Sequence, residues 1–176
     1  MSYYKLFVPK QAVGANLVYF DLFNVSTSGY TLLVESVIPV ISGAVAVTGV
    51  VGVDLLLTRT SAVGTGGTAA VAEGATITAM TFSNQNGDQP IDLTKVSARL
   101  TPTGGATAGA ILAWRCGFPE ETNGGTYTQI LDLVKGWDQN APCITVKGGT
   151  GIRVIQGAVA SVGNIGFDVA LRLKQL

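Results

Sequence analysis

The sequence predicts an all-β protein, a jelly-roll-like two-sheet sandwich in a single domain with at most one short helix. Three observations carry this expectation. Short runs rich in Val, Ile, Leu, Thr and aromatic residues recur along the chain, clusters of Gly, Ser, Asn, Asp and Pro separate them, and the best of them alternate with the two-residue period of a strand. A chain of 176 residues suits one domain and can bury a sizeable core without staples. Eight or more strands in that length pack most simply as two sheets.

Residues 1–15 read as an N-terminal arm or edge strand and residues 16–176 as the sandwich. In the first segment Tyr3, Tyr4 and Phe7 precede Pro9 with few charges around them. That pattern fits an arm that adds to a neighbour's sheet, or an ordinary edge strand of its own domain. Further strands are expected at Leu17 to Phe23, Thr31 to Val40, Gly52 to Arg59, Ala75 to Phe82, Val96 to Thr101, Ala110 to Phe118, Gly151 to Gln156 and Ile165 to Leu173. The last is the clearest: Ile165, Phe167, Val169, Leu171 and Leu173 share one face, with Gly166, Asp168, Ala170 and Arg172 on the other. Val53, Leu55 and Leu57 alternate less cleanly with Asp54, Leu56 and Thr58, as in a strand covered on both sides. Thr126 to Lys135 is the one helical pattern, with Tyr127, Ile130, Leu131 and Val134 at helical spacing and Gly136 suited to its C-terminal end. The similar small-residue segments Gly64 to Ala70 and Gly104 to Gly109 read as two equivalent corner loops.

Composition bounds the function. Charged residues make up 12% of the chain, against roughly 25% in an ordinary soluble domain. Eleven acidic and eleven basic side chains cancel and 47% of residues are hydrophobic, which favours a surface partly buried in a homo-oligomer. Zero net charge without Lys/Arg clusters argues against direct nucleic-acid binding. The most apolar stretch, Leu32 to Leu57, is broken by Glu35, Pro39, Gly43, Gly49, Gly52 and Asp54, so no membrane helix is expected. The start Met1-Ser2-Tyr3-Tyr4-Lys5 lacks the basic and apolar regions of a signal peptide, which points to synthesis in a reducing cytoplasm.

The chain contains no histidine, so conventional Ser-His-Asp and Cys-His catalysis is excluded and no catalytic residue, metal or cofactor is expected. Glu120-Glu121 and Asp132 with Asp138 are the carboxylate pairs an enzyme reading would nominate, and each lies in a polar, turn-like or helix-like stretch. Cys116 and Cys143 lack zinc-ligand spacing and read as two thiols, with a cross-strand disulfide left open. Lys147-Gly148-Gly149-Thr150-Gly151 precedes a strand rather than a helix and reads as a hairpin turn, not a phosphate loop. Asn84 to Asp88 reads as a turn. Trp114, between Leu112 and Cys116, is expected in the core. Trp137 lies in the polar run Lys135 to Asn140 and is the foremost interface candidate, beside Tyr3, Tyr4 and Phe7.

The phrases Tyr19-Phe20-Asp21-Leu22-Phe23-Asn24, Asp54-Leu55-Leu56-Leu57-Thr58-Arg59-Thr60 and Gly151-Ile152-Arg153-Val154 stand in a neutral, histidine-free, Gly/Thr/Ala-rich chain. In style this resembles the capsid decoration, or cement, proteins of tailed bacteriophages, from Val18 to Leu173. The resemblance implies a jelly-roll-like subunit, commonly trimeric, made in the host cytoplasm. It would sit on the outer capsid surface of the virion, across junctions of the major capsid protein, and brace the shell against DNA pressure. No functional residue carries over. The alternative is a receptor- or carbohydrate-binding module of a phage tail or head fibre, for which Trp137, Tyr127 and Tyr30 are the available aromatic platforms.

Overall fold

A computed structural model describes residues 1–42, 53–86, 89–104, 108–117, 132–158 and 163–175. Within them the chain forms β1 (Ser2–Ala12), β2 (Val18–Asn24), β3 (Tyr30–Ser42), β4 (Val53–Thr60), β5 (Thr68–Ala69), β6 (Val71–Ala72), β7 (Thr81–Asn84), β8 (Val96–Leu100), β9 (Ala108–Gly117), β10 (Ile144–Val146), β11 (Thr150–Gln156) and β12 (Asn164–Gln175). One sheet has the order β10-β3-β12-β1-β7-β6 and the other β5-β8-β2-β11-β4-β9. Taking β5 to β8 out of both leaves β10-β3-β12-β1 facing β2-β11-β4-β9. Successive strands then alternate between sheets except at β4 and β9, the interleaved double Greek key of a jelly roll. The segment from β5 to β8 is an insertion between β4 and β9. It widens both sheets on the same side, adding β7 and β6 beyond β1, and β8 and β5 beyond β2.

The period-two pattern decides which residues fill the interior. On β12, Ile165, Phe167, Val169 and Leu171 are buried while Arg172 is exposed. Phe167 meets Tyr19 and Phe20 of the opposite sheet at ring-centroid distances of 5.5 and 5.4 Å. Both rings can point inward because β2 carries an extra residue where its pairing with β11 shifts between Val154 and Ile155. Gly166, on the other face of β12, is buried as well. β1 bulges between Val8 and Gln11, and the Val8 carbonyl would lie 2.7 Å from any Cβ at position 166.

Several local expectations change. The first segment is neither a free arm nor an edge: β1 pairs with β12 over most of its length and with β7 from Tyr4 to Phe7. Of the strand expected at Ala75 to Phe82, residues 75–80 are irregular and pairing starts at Thr81, where β1 supplies a partner. Residues 126–131 of the expected helix lie outside the described residues. Asp132 to Lys135 belongs to a turn, closed by Gly136 N donating to Asp132 O at 2.8 Å, with Gly136 at φ +57°. Lys147 to Thr150 does turn tightly, with Gly149 at φ +78°, but it joins strands of opposite sheets and so is a corner rather than a hairpin. The two small-residue loops meet each other, Thr65 N donating to Gly104 O at 2.7 Å.

Among the described residues every sheet edge is blunted. β5 and β6 have two residues each and β10 has three. β9 is long, but its pairing with β4 shifts register twice, between Leu57 and Thr58 and between Thr58 and Thr60. Such bulges twist an edge away from the flat form a new strand needs. Beyond β10 the edge of β3 is met by a turn: Val37 N donates to Asp132 Oδ1 at 3.0 Å and Val37 O accepts Leu133 N at 2.9 Å. Val37 therefore directs its backbone groups away from β12, and Pro39, two residues on, places its missing N–H on that same open side.

A methyl group at Gly151, inside the second sheet, would stand 2.6 Å from Leu22 O, 2.8 Å from the Phe23 ring and 2.9 Å from the Thr60 methyl. Gly151→Ala is therefore expected to cost about 1–3 kcal/mol, read as a lowered urea midpoint. An unchanged midpoint would show that the β2-β11-β4 packing yields freely.

Candidate interaction surface

The outer faces of the two sheets differ in chemistry. On the first, Tyr3, Lys5 and Phe7 of β1 stand beside Arg172, Ala170 and Asp168 of β12. Lys5 and Asp168 pair at 3.5 Å and Arg172 bonds Glu35, the extra residue where β3 shifts register. This is a solvated, ion-paired face, with Phe7 41% exposed in its midst.

On the second sheet the register sets Val18, Ile155, Leu56 and Trp114 side by side across β2, β11, β4 and β9. Leu55 and Leu57 fill the interior, so Leu56 and its cross-strand neighbour Trp114 must face outward. Trp114 is 62% exposed, contrary to its expected place in the core. The inward positions of β9 are Ala113 and Arg115, opposite Leu57 and Leu55. The Trp114 indole N–H donates to Asp54, and Ile111, also exposed, extends the apolar strip. Cys116 is exposed, Cys143 half-buried, and both are free thiols.

Trp137 emerges from a turn that meets β9 at Arg115. Asp132 Oδ1 accepts the main-chain N–H of Val134 at 2.7 Å and of Lys135 at 3.2 Å, which winds the turn. Leu133 anchors it in the core and Gly136 presses on the Arg115 guanidinium of β9. The turn then projects Trp137 into solvent at 88% exposure. The four sequence candidates thus separate. Trp137 lies by β9, Tyr3 and Phe7 lie on the opposite sheet, and Tyr4 is not a surface residue at all. It is 3% exposed and donates its hydroxyl to Gln89 O at 2.7 Å. Sequence reasoning missed Trp114 and Ile111, whose direction follows only from the pairing of β9 with β4.

The carboxylates take structural roles. Asp132 winds the turn and Asp138 Oδ1 accepts Asn140 N at 2.9 Å, while Glu120, Glu121 and Tyr127 lie outside the described residues. Asp21 is fully buried on the outer side of β2, beneath the loop that follows β4. Its oxygens accept Gly64 N at 2.7 Å and Arg99 N at 2.9 Å, fastening that loop to the sheet. Burial raises its pKa above the ordinary carboxylate value, against the lowering by those two amides and by the charges of Arg99 and Arg153. Burial also pushes the Tyr19 phenol up to about 12, with its O–H donated to Gln156 Oε1 at 2.9 Å. Among the described residues no three His, Cys, Asp or Glu side chains gather as a metal site requires, and no helix is long and apolar enough to cross a membrane.

Compared with known proteins, the chain matches no family model, no curated protein and no solved structure.

Because the folded chain holds the Asp21 proton more tightly than the unfolded chain, the contribution of Asp21 to stability falls as pH rises from about 4 through its folded pKa, and is level above it. The stability advantage of the native chain over Asp21→Asn is therefore expected to shrink across that range in urea melts. Growth with pH would mean that the arginine charges outweigh burial. Trp137→Ala, on an exposed ring, is expected to change stability by no more than about 0.5 kcal/mol, measured the same way.

Proposed function

We propose that this chain is a structural virion protein, a decoration or cement protein that binds the outer surface of a phage head and stabilises the shell as a homo-oligomer. The observation that carries the reading is the exposure of three large apolar side chains, Ile111 and Trp114 on β9 and Trp137 on the cross-braced turn that meets β9 at Arg115. Aromatic side chains fixed on rigid elements are the usual anchors of a protein interface. The jelly roll with its guarded edges supports this, since a protein packed in many copies must meet its neighbours without uncontrolled strand addition. The mechanism needs no chemistry: a protein that binds only the assembled shell stabilises it by mass action. The trimer and the contact with the major capsid protein come from the resemblance and are part of the proposal.

Labelling of intact virions by electron microscopy tests the reading, and many copies spread over the whole head are expected. A few copies confined to the tail tip or one vertex would replace it with host recognition. Trp114→Ala and Trp137→Ala are expected to lower head occupancy at least about tenfold, the equivalent of one lost anchor of 1.4 kcal/mol. Full occupancy by both variants would remove these side chains from the interface.

A further inference from the structure

A cavity of about 690 Å³ opens at the end of the sandwich where β1 and β8 begin and β12 ends. Its size falls within the range of small-ligand sites. Tyr4, Val96 and Leu173, all buried, supply its apolar part. Tyr30, from the start of β3, forms a wall, and the Lys95 ammonium lies 5.3 Å from its ring centroid. Ser2, Gln89, Asp92 and Gln175 complete the lining and bring a hydroxyl, two amides and a carboxylate to it.

The polar lining is built in advance of any ligand. The Gln89 carbonyl accepts from Tyr4 Oη at 2.7 Å and from Asn84 Nδ2 at 2.9 Å, which fixes that segment. Asp92 Oδ1 accepts both Thr94 N at 2.9 Å and Thr94 Oγ1 at 2.6 Å, so this carboxylate is held in one orientation. The Tyr30 carbonyl accepts Asn24 Nδ2 at 2.8 Å, tying the base of the wall to β2.

The geometry points to a neutral saccharide as the occupant. An apolar part with one aromatic wall suits the C–H face of a pyranose ring, while amides, a hydroxyl and a carboxylate match the hydroxyl groups around its perimeter. With Oδ1 engaged by Thr94, Asp92 offers Oδ2 as the acceptor for a sugar hydroxyl. A phosphorylated or strongly acidic ligand fits less well, since among the described lining residues none is Lys or Arg and Asp92 carries a negative charge. This site includes neither Trp114 nor Trp137 and does not depend on the capsid reading.

The test uses the full chain and methyl α-glucoside, methyl β-galactoside and methyl N-acetyl-β-glucosaminide, titrated by saturation-transfer NMR. At least one is expected to bind saturably, and Gln175→Ala and Asp92→Asn are each expected to weaken it about tenfold. Both positions are exposed, and Asn keeps an oxygen for the Thr94 bonds, so folding is preserved and is checked by circular dichroism. Ile77→Ala, at an exposed residue away from the cavity, is expected to bind as the native chain does. No saturable binding of any of the three at tens of millimolar, or binding that both lining variants retain in full, overturns the proposal.

Discussion

The contact of Phe167 with Tyr19 and Phe20 is the constraint on which the rest of the molecule depends. Two sheets can close on one core only if their inner side chains interdigitate, and here one ring from β12 is met by two consecutive residues of β2. Consecutive residues of a regular strand face opposite ways, so this packing requires the irregularity at Tyr19. That irregularity in turn needs somewhere to put its polar groups. The Tyr19 carbonyl accepts Thr101 N at 2.9 Å and Gln11 Nε2 at 3.0 Å, and the phenol is bonded to Gln156. A local break in the ladder is thus sustained by partners from three other segments, β1, β11 and the residue that follows β8.

From that core outward, interaction by strand addition is closed off and interaction by side chains is left open. The short strands β5, β6 and β10, the double shift in β9 and the proline in β3 all act against pairing with another chain. The few charges of the chain are largely paired or buried against one another on both outer faces. Lys5, Asp168, Arg172 and Glu35 gather on one outer face, whereas the other sets Asp21, Arg99 and Arg153 beside an apolar row of Val18, Ile155, Leu56 and Trp114. What distinguishes the second face is therefore its row of large apolar side chains, not a lack of charge.

Much of the fold was legible because alternation reports burial directly. β12 reads in the sequence as it packs, and β2, β3, β4, β8, β9 and β11 fall close to their expected spans. What sequence could not convey is which side of an alternating strand faces in. Trp114 and Cys116 share a face with the larger side chain, which argues for the interior, yet Arg115 and Ala113 face inward because β9 ends a sheet and its guanidinium reaches the turn at Gly136. Tyr4 carries the same ambiguity in reverse: two tyrosines in a row look like an arm until β12 and β7 supply partners on both sides. Trp137 was legible for a simpler reason, since a large ring among Lys, Gly, Asp, Gln and Asn has no intrachain partner to hide it.

The insertion between β4 and β9 is fastened to both sheets at once, through β7 on β1 and β8 on β2, with Asp21 clamping its first loop from beneath. A segment held at one point opens as a flap on its own, whereas one held on two layers must release both together. The amides of Gly64, Arg99 and Phe82 should therefore belong to one cooperative unit of hydrogen exchange, and the side of the sandwich they cover would behave as part of the global fold rather than as an appended loop.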